Sequence, residues 1–388
     1  MDQATTRKGV LLIMTLFFLQ PVAIGCWLAL IPFVKDTLGL SKAELSVALL
    51  GSPIALLFAL QVAGKVVGLI GVRKLFLYAF PIQAVASVLP IIAVNQLTLF
   101  LGLAVFGASI ALMEVALNVY AGRIEKQAAR LIMNRCHGFW ALGLMTGSIV
   151  ISTMTGILSP LGAMMFGSFI TAVIGFYLAL GLPKVGEEEG KRAPPRRKFS
   201  ELPRPLFLIA IFMFAITLTE GAMADWAAIY LSERMQTSLT EAGIAVTVFS
   251  GFLAAGRFAG DWIKHRFGAL AHARGSIATT IVGLVFLILP LPVPFVFLGF
   301  ALVGVGVASG YPLGVSAVAA LDDVYEAGNV ALMSTAALMG FLFGPPLIGF
   351  LSEAFGLRVG FMFMIPGLLA AFAVAHVLQP GESPRTGE

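Results

Sequence analysis

The sequence is poor in charged residues and in cysteine, and both scarcities exclude classes of protein. Only 12% of its 388 residues are charged, against about a quarter in a soluble domain, so a soluble globular fold is excluded. Cys26 and Cys136 fall in different apolar runs, which argues against a disulfide framework, and no Cys and His spacing fits a metal site. The chain lacks HExxH, GxSxG and P-loop sequences and has no extended soluble signalling region, so an enzyme, an ATP-driven pump or a receptor is not predicted.

Apolar sequence is abundant instead. Hydrophobic residues make up 59% of the chain, and the mean hydropathy is +0.96. A helix that crosses about 30 Å of hydrocarbon needs about 20 apolar residues, whereas strands of a membrane barrel would alternate over about ten. The sequence therefore predicts an all-α membrane protein with twelve transmembrane helices, at 9–34, 43–68, 72–94, 96–122, 131–157, 160–182, 205–231, 240–263, 274–290, 293–321, 327–353 and 357–379.

The basic residues are distributed unevenly between the two sides of this topology. Of the 25 Lys and Arg residues, only Lys35, Lys42, Arg234 and Arg358 fall on the side away from the N-terminus. The positive-inside rule then places both termini of a multi-pass membrane protein in the cytoplasm. The net charge of +5 reflects this topology and does not indicate nucleic-acid binding. Arg7 and Lys8 precede a run that is too long for a signal peptide, so the first helix is expected to be retained.

The segment 184–204 is charged and rich in proline, unlike the rest of the chain, and is predicted to be a cytoplasmic linker. It divides the chain into an N-terminal six-helix half, 1–183, and a C-terminal six-helix half, 205–388. Gly64-Lys65-Val66-Val67-Gly68 ends the second predicted helix and Gly256-Arg257-Phe258-Ala259-Gly260 ends the eighth, with Gly71 and Gly268 in the following loops. The same Gly-basic-x-x-Gly signature at the ends of the second and eighth helices predicts that the last six helices repeat the first six.

With these residues the chain resembles the major facilitator superfamily, whose signature after the second helix is Gly-x-x-x-Asp-x-x-Gly-x-Arg-Lys/Arg. The matching residues are Gly64, Gly71, Arg73 and Lys74, with Gly68 in place of the acid. The resemblance implies two pseudo-symmetric six-helix halves, a small-molecule substrate, a monomer in the bacterial inner (plasma) membrane, and no cofactor. It also implies that these loops form a gate on the cytoplasmic side.

Two further gate residues lie at the end of the eighth helix. Arg257 and Asp261 are four residues apart, so they are expected to face each other as a gate or structural pair, with substrate contact as the alternative.

Few ionisable residues lie inside the predicted spans, and each one at the bilayer centre costs a few kcal/mol. Glu114 lies near mid-depth of the fourth helix, and Asn118 is one turn later on the same face. Burial disfavours the charged form of a carboxyl group, so Glu114 can bind a proton on one side and release it on the other. The alternative is a structural hydrogen-bond clamp between helices.

The seventh and fifth helices supply the other titratable candidates. Glu220 is predicted to act in proton coupling or substrate binding, while Asp225 and Trp226 lie nearer the far end and suit an interfacial belt or gate. Asn134, His137 and Trp140 begin the fifth helix at spacings of three, and Asn134 and Trp140 are predicted to contact substrate. His137 fits either proton coupling or a hydrated interfacial position near Arg130 or Glu125, and both interpretations stay open.

Gln20 and Tyr311 are the remaining candidates for substrate contact. Gln20 precedes Pro21 in the first helix, and an amide both donates and accepts hydrogen bonds, which suits a hydroxyl-rich solute. If Gly107 is matched with Gly304 in the repeat, Tyr311 falls opposite Glu114, where it either lines the cavity or is simply packed.

A narrower resemblance rests on Glu114-Val-Ala-Leu-Asn118 and on the run from Asn134 to Gly143. These segments are similar to helices four and five of fucose-permease-like sugar:proton symporters, and the whole chain looks like the YbjJ-like bacterial permeases. The resemblance implies that Glu114 is the proton-linked substrate residue. The first helix departs from the fucose-permease pattern, because it has no acid there.

The leading hypothesis is therefore a secondary active transporter that moves a small polar solute, a sugar or sugar derivative, by proton symport with alternating access. The proton gradient would be the energy source. The alternative is a proton-coupled exporter of drugs or metabolites, for which the 31 phenylalanines and 15 methionines could line an adaptable pocket.

Overall fold

The structure is a computed structural model of the 388-residue chain, and it describes residues 3–129, 131–185, 202–236, 239–321 and 325–379. All regular secondary structure in these ranges is helical. The helices that precede residue 186 are α1 Gln3–Leu19, α2 Val22–Thr37, α3 Lys42–Leu49, α4 Gly51–Ile70, α5 Val72–Val88, α6 Gln96–Ala128, α7 Met133–Met154 and α8 Pro160–Leu180.

The helices that follow residue 201 repeat this pattern. They are α9 Arg204–Met235, α10 Leu239–Phe267, α11 Ala269–Ile288, α12 Val293–Val307, α13 Gly310–Ala319, α14 Glu326–Phe355, α15 Leu357–Met362 and α16 Met364–Val374, with a final 3₁₀ turn at Ala375–Leu378.

Joining the collinear pairs α1–α2, α3–α4, α12–α13 and α15–α16 gives twelve helical crossings, as the sequence predicts. Ten of the described helical segments are long and apolar enough to span a membrane by themselves. The other two crossings are α5, which has 17 residues, and α7, which begins with the polar sequence Met-Asn-Arg-Cys-His. Both pack against neighbouring helices on several sides.

The crossings define two faces of the bundle. We call the face where α1 begins, α8 ends and α9 begins the linker face, and the other the opposite face. The predicted linker, 184–204, lies largely outside the described residues, and the domain boundaries stay a prediction.

Four predicted spans differ from the helices by five or six residues at one end. The first helix begins at Gln3 instead of 9 and α6 continues to Ala128 instead of 122, while the other two differences have a clear cause. The third was expected to reach residue 94, but α5 ends at Val88 because Leu89 precedes Pro90, and the residue before a proline disfavours helix. The ninth was expected to begin at 274, but α11 begins at Ala269. Arg274 is accommodated within that helix, where its guanidinium carbon lies 5.2 Å from the centre of the Phe372 ring.

Several crossings are interrupted near proline. The first crossing breaks at Gln20–Pro21, because proline donates no backbone hydrogen bond and crowds the preceding turn. The second breaks at Leu50, three residues before Pro53, and the tenth at Ala308–Ser309, before Pro312. In contrast, Pro345 and Pro346 lie within the continuous helix α14. The first of these breaks places a side chain in the candidate site described below.

The two halves use the same helix pairings, which is the basis of their pseudo-symmetry. The pair α4–α6 in the first half corresponds to α10–α12 in the second, α2–α7 to α9–α14, and α5–α8 to α11–α16. Gly107 of α6 packs on the carbonyl of Ser52, and Gly304 of α12 packs equivalently on that of Phe249. Gly71 and Gly268 both join consecutive crossings at φ near +80°, which glycine adopts without strain.

The contact between the halves is centred on α7 and α10, which pack along each other through the thickness of the bundle. On its other side, α7 packs against the broken first crossing. A Cβ at Gly143 or Gly147 would overlap the carbonyl oxygens of Phe18 or Val22. These small residues therefore let the backbones approach closely, which is the helix-packing role that their spacing predicts.

Candidate functional site

Glu114 is hydrogen-bonded to side chains from two helices, its own α6 and the neighbouring α7. It lies on α6, half-buried, and Asn118 one turn later donates to the Glu114 main-chain oxygen at 2.9 Å and to its carboxylate Oε2 at 3.4 Å. The indole Nε1 of Trp140, from α7, donates to Glu114 Oε1 at 3.0 Å. The predicted pairing of Glu114 with Asn118 on one helix face is confirmed.

Trp140 also connects Glu114 to the break in the first crossing. Its Nε1 lies 3.0 Å from Gln20 Oε1 as well, so one N–H group is shared between two acceptors. The main-chain oxygen of Gln20 is exposed by the helix break and accepts a hydrogen bond of 3.3 Å from Gln83 Nε2. This contact satisfies a backbone group that the break would otherwise leave unpaired in the bilayer.

Gln20 has an unused hydrogen-bond donor. The residue is 1% exposed, and its Nε2 is buried without a hydrogen-bond partner among the described residues. A buried polar group without a partner costs about 1–3 kcal/mol. The amide is therefore suited to donate to a bound solute or water beside Glu114.

Arg257 brings the second half of the chain into the same cluster. Its Nη2 forms an ion pair of 2.7 Å with Glu220 Oε1, and the side chains of the two residues are 11% and 8% exposed. Its Nη1 donates to the main-chain oxygen of His137 at 3.2 Å. The guanidinium carbon lies 5.7 Å from the centre of a Trp140 ring, within the range of a cation–π contact. Arg257 thus contacts both halves.

The expected i, i+4 pair of Arg257 with Asp261 is wrong. Arg257 pairs with Glu220 of α9, whereas Asp261 accepts a hydrogen bond from Asn134 Nδ2 of α7. Both partners come from other helices because α10 lies between α7 and α9. Asn134, predicted to contact substrate, therefore joins the two halves near the linker face.

His137 is placed by an aromatic contact. Its ring packs edge-on against Phe17, with 5.4 Å between the ring centres, and the residue is half-buried. Glu125 does not pair with it. The Glu125 carboxylate instead accepts the backbone N–H groups of Ile132 and Met133 at 2.6 and 2.9 Å, which satisfies the N-terminus of α7. Arg130 lies outside the described residues.

Tyr311 and Trp226 have hydrogen-bond partners outside the Glu114 cluster. Tyr311 is half-buried on α13, and its hydroxyl lies 3.1 Å from that of Ser334 on α14. Trp226 is fully buried and donates to the main-chain oxygen of Pro345 at 3.0 Å. An interfacial belt position for Trp226 is therefore wrong, because the indole packs between α9 and α14. Asp225 is half-buried.

The predicted gate residues of the first half contact their own half. Arg73 donates to the main-chain oxygen of Leu180, at the end of α8, where a cation suits the unpaired carbonyl groups of a helix C-terminus. Lys74 is exposed. Gly68, which replaces the acid of the superfamily signature, has open space around its Cα.

The sequence interpretation missed a latch at the opposite face. The backbone N–H of Lys42 donates to Glu353 Oε2 at 2.8 Å, and its Nζ forms an ion pair of 3.0 Å with Glu233. Ser41 and Glu44 form a capping box that fixes the start of α3. That Ser-x-x-Glu spacing was a readable signal for the helix start, but it does not identify partners in the other half.

The cluster offers proton and hydrogen-bond chemistry. Among the described residues, no group of three or more His, Cys, Asp or Glu side chains could hold a metal ion. Glu114 and Glu220 contribute two carboxyl groups and Arg257 one permanent positive charge. Trp140, Gln20 and Asn118 add neutral donors and acceptors beside an aromatic surface, an arrangement that can bind a small polar molecule.

Comparisons with known proteins agree with this architecture. The chain is 29% identical to an uncharacterised MFS-type transporter of Yersinia pestis, over 93% of this chain and 94% of that one. It is 28% identical to the membrane protein MosC of Rhizobium meliloti, over 92% and 87% of the two chains.

Solved structures show the same fold at low identity. The nucleoside transporter NupG, as a D323A mutant, superposes with a TM-score of 0.76 at 15% identity, covering 95% of this chain and 99% of that one. An inward-facing bacterial homologue of the human lysosomal transporter Spinster superposes with a TM-score of 0.68 at 15% identity, covering 97% of each chain.

The family model of the Major Facilitator Superfamily matches residues 13–330 and 226–388. Members of this family are membrane transporters of small molecules and not enzymes. The structure agrees with this match, because it is a bundle of twelve helical crossings in two equivalent halves with a polar cluster between them. The chain belongs to the Major Facilitator Superfamily.

Proposed function

We propose that this transporter moves a small polar solute, a sugar or sugar derivative, together with a proton, and that Glu114 carries the proton. The hydrogen-bonded cluster of Glu114, Trp140, Gln20 and Asn118 would bind the solute. The single observation that carries the proposal is the imbalance of charge at this cluster.

Arg257 and Glu220 neutralise each other at 2.7 Å, which leaves Glu114 as the acid in excess. Its carboxylate accepts hydrogen bonds from the neutral donors Trp140 and Asn118. A charged group within the bilayer is costly without a counter-charge. Binding one proton removes that cost, so proton uptake favours the reorientation of a loaded transporter.

The lining of the site favours a polar solute over a greasy one. Gln20 has a buried donor without a partner, and Glu114, Asn118 and Trp140 are only half-buried. Hydroxyl groups of a solute could bond with these amides and the carboxyl group, while a sugar ring could lie against the indole. The polar lining of the site thus favours the proposed solute over the substrates of a drug exporter, whose pocket would be lined by phenylalanine and methionine.

The position of Arg257 supports a link between the cluster and alternating access. The guanidinium bonds to Glu220 of its own half and to the main-chain oxygen of His137 in the other half. Its contact with the Trp140 ring connects it to the indole that binds Glu114. A solute or proton that shifts Trp140 would therefore alter a contact between the halves, as alternating access requires.

The proposed setting is the bacterial inner membrane, with the linker face and both termini in the cytoplasm, and with a monomer as the working unit. A proton that enters down the gradient then supplies about 2.3 kcal/mol per 100 mV. The resemblance to fucose-permease-like symporters supports sugars as the first solutes to test. Nucleosides belong in the same panel because NupG, a structural neighbour, is a nucleoside transporter and they contain a sugar.

The test records external pH in a weakly buffered, de-energised suspension of cells that express the protein. Sugars, sugar acids, nucleosides and amphipathic cations are added in turn. We expect one of the polar solutes to cause alkalinisation, and Glu114→Gln to abolish it because the amide cannot carry a proton. Asp36→Asn is the matched control, since that acid is exposed and distant from the cluster. Alkalinisation that persists in Glu114→Gln would refute the role of Glu114, and acidification by a cation would favour the exporter.

A further inference from the structure

A second polar space lies between the Glu114 cluster and the linker face. It is a cavity of about 40 Å³, bounded by α7, α10, α11 and α12–α13. Its lining residues are Asn134, His137, Arg257, Gly260, Asp261, Lys264, His272, Ala308, Ser309, Pro312, Leu313 and Ser316. A cavity needs about 10–15 Å³ of such volume for each water molecule, so this one has room for about three and is too small for a sugar.

The charges around the cavity favour water over an ion. His137 on α7 and Arg257, Asp261 and Lys264 on α10 are the charged or titratable groups that line it beside His272. Arg257 is neutralised by Glu220, and Lys264 and Asp261 carry opposite charges. With these pairs balanced, an ion of either sign would add an uncompensated charge, whereas water adds none.

His272 provides a second and independent indication of bound water. It lies on α11, is only 6% exposed and lines the cavity. Its Nδ1 is buried without a hydrogen-bond partner among the described residues. Buried polar groups are nearly always bonded to protein or to ordered water, and the cavity beside this ring has the volume to supply that water.

We propose that this cavity is a water-filled path from the linker face to Arg257, and that His272 passes protons along it. At the mouth, Asp261 and Ser316 are exposed. At the deep end, Arg257 is 11% exposed and joins Glu220 to the backbone of α7. The role of His272 in passing protons rests on the proposed proton coupling. The presence of water in the cavity does not depend on that proposal and can be tested separately.

The proton route keeps its atoms in balance. A protonated water on one side of His272 gives its extra proton to the free ring nitrogen and becomes neutral water, while the other ring nitrogen gives its own proton to the next water, which becomes protonated. No charge accumulates on the ring, and rotation of the ring restores its starting tautomer. The route therefore connects the deep end of the cavity with the aqueous phase at the linker face.

Silver ions test for water because Ag⁺ is about as small as a water molecule and binds thiols tightly. The native Cys26 and Cys136 are free and 0% exposed, so the wild-type chain provides the background. Ser309→Cys places a thiol at a cavity position that is 5% exposed. Val318→Cys is the matched control on α13, because Val318 is 0% exposed and does not line the cavity.

Each variant is exposed to silver nitrate in chloride-free buffer from one side of sealed vesicles of known orientation. The vesicles are then quenched and denatured, and the remaining thiols are counted by the gel shift with a polymer-linked maleimide. We expect Ser309→Cys to lose its added thiol only when silver is at the linker face, and Val318→Cys to keep it. Protection of the Ser309→Cys thiol from both sides, or equal loss in Val318→Cys, would overturn the water-filled path.

A second measurement addresses the relay itself. His272→Gln preserves a polar side chain of similar size but cannot carry a proton. We expect solute-driven proton uptake to slow by at least about tenfold, while exchange of labelled for unlabelled solute, which needs no net proton transfer, continues at the wild-type rate. Unchanged proton uptake would refute the relay. Failure of Glu114→Gln to affect coupling would instead refute the proposed function and leave the silver result standing.

Discussion

The buried ion pair of Arg257 with Glu220 allows a quantitative prediction. The charged atoms are 2.7 Å apart, and the side chains are 11% and 8% exposed. Removing one partner of such a pair typically costs about 3–5 kcal/mol, because the other charge stays buried, whereas replacing both with apolar residues is often nearly neutral. We therefore expect Glu220→Met to cost about 3–5 kcal/mol of unfolding free energy, and the double variant Glu220→Met/Arg257→Met to cost about 1 kcal/mol or less.

The two single variants should differ in a way that follows from their chemistry. Glu220→Met leaves a guanidinium that cannot lose its proton, whereas Arg257→Met leaves a carboxyl group that can become neutral by binding one. Arg257→Met should therefore be the milder change. It should become still milder at low pH, because protonation of Glu220 then costs less.

The assay is the free energy of unfolding from SDS titration in mixed micelles, followed by circular dichroism. Asp36→Asn is the control, since the Asp36 side chain is 72% exposed in its 3.5 Å pair with Lys35, and it should change stability by no more than about 0.5 kcal/mol. If the double variant loses as much as the sum of the two singles, the coupling energy is zero. That result would refute the pair and the charge imbalance that assigns the excess acid to Glu114.

Three further predictions follow from other contacts. Trp140→Phe keeps a ring beside Arg257 but removes the hydrogen-bond donor to Glu114. Half-maximal solute-driven proton uptake should then require a solute concentration at least about tenfold higher, as loss of a charged hydrogen bond implies. An unchanged half-saturation concentration would contradict the contact. Gly147→Ala should destabilise the protein by about 1–3 kcal/mol in the same SDS titration, since the added Cβ overlaps the Val22 carbonyl. Its control is Gly64→Ala, whose added Cβ meets open space and which should be neutral or stabilising by up to about 1 kcal/mol. Lys42→Met removes a partly exposed ion pair worth about 1 kcal/mol, so the population that is open at the opposite face should increase about fivefold. Spin-label distances between α3 and α14 measure this population, and an unchanged distance distribution would exclude the latch.

The fold was predictable because the bilayer imposes a simple length rule. Twelve crossings and the six-helix repeat follow from apolar runs and from glycines at matched positions, such as Gly71 and Gly268. The ends were harder to predict, since Pro90 shortens α5 by interrupting an otherwise apolar run, and Arg274 lies inside α11 by packing its guanidinium on Phe372.

The candidate site was predictable only where its residues share a helix. Glu114 and Asn118 are one turn apart, so helical geometry places them on one face. The meeting of Gln20, Trp140 and Arg257 depends on the tilt and rotation of three helices, which a single sequence does not specify. Arg257 was therefore assigned to Asp261, its neighbour along α10, although tertiary packing gives it Glu220 and gives Asp261 to Asn134.

The latch at Lys42 makes the opposite face sensitive to ionic strength. Its ion pair is 20% exposed on Lys42 and 40% exposed on Glu233, and at physiological salt the Debye length is about 8 Å, so dissolved ions compete with it directly. The Arg257 pair within the bundle is shielded from the same ions. An increase in salt on that side of the membrane would therefore weaken the closure at the opposite face while it leaves the central charges in place, and ionic strength would shift how often the transporter opens to that side.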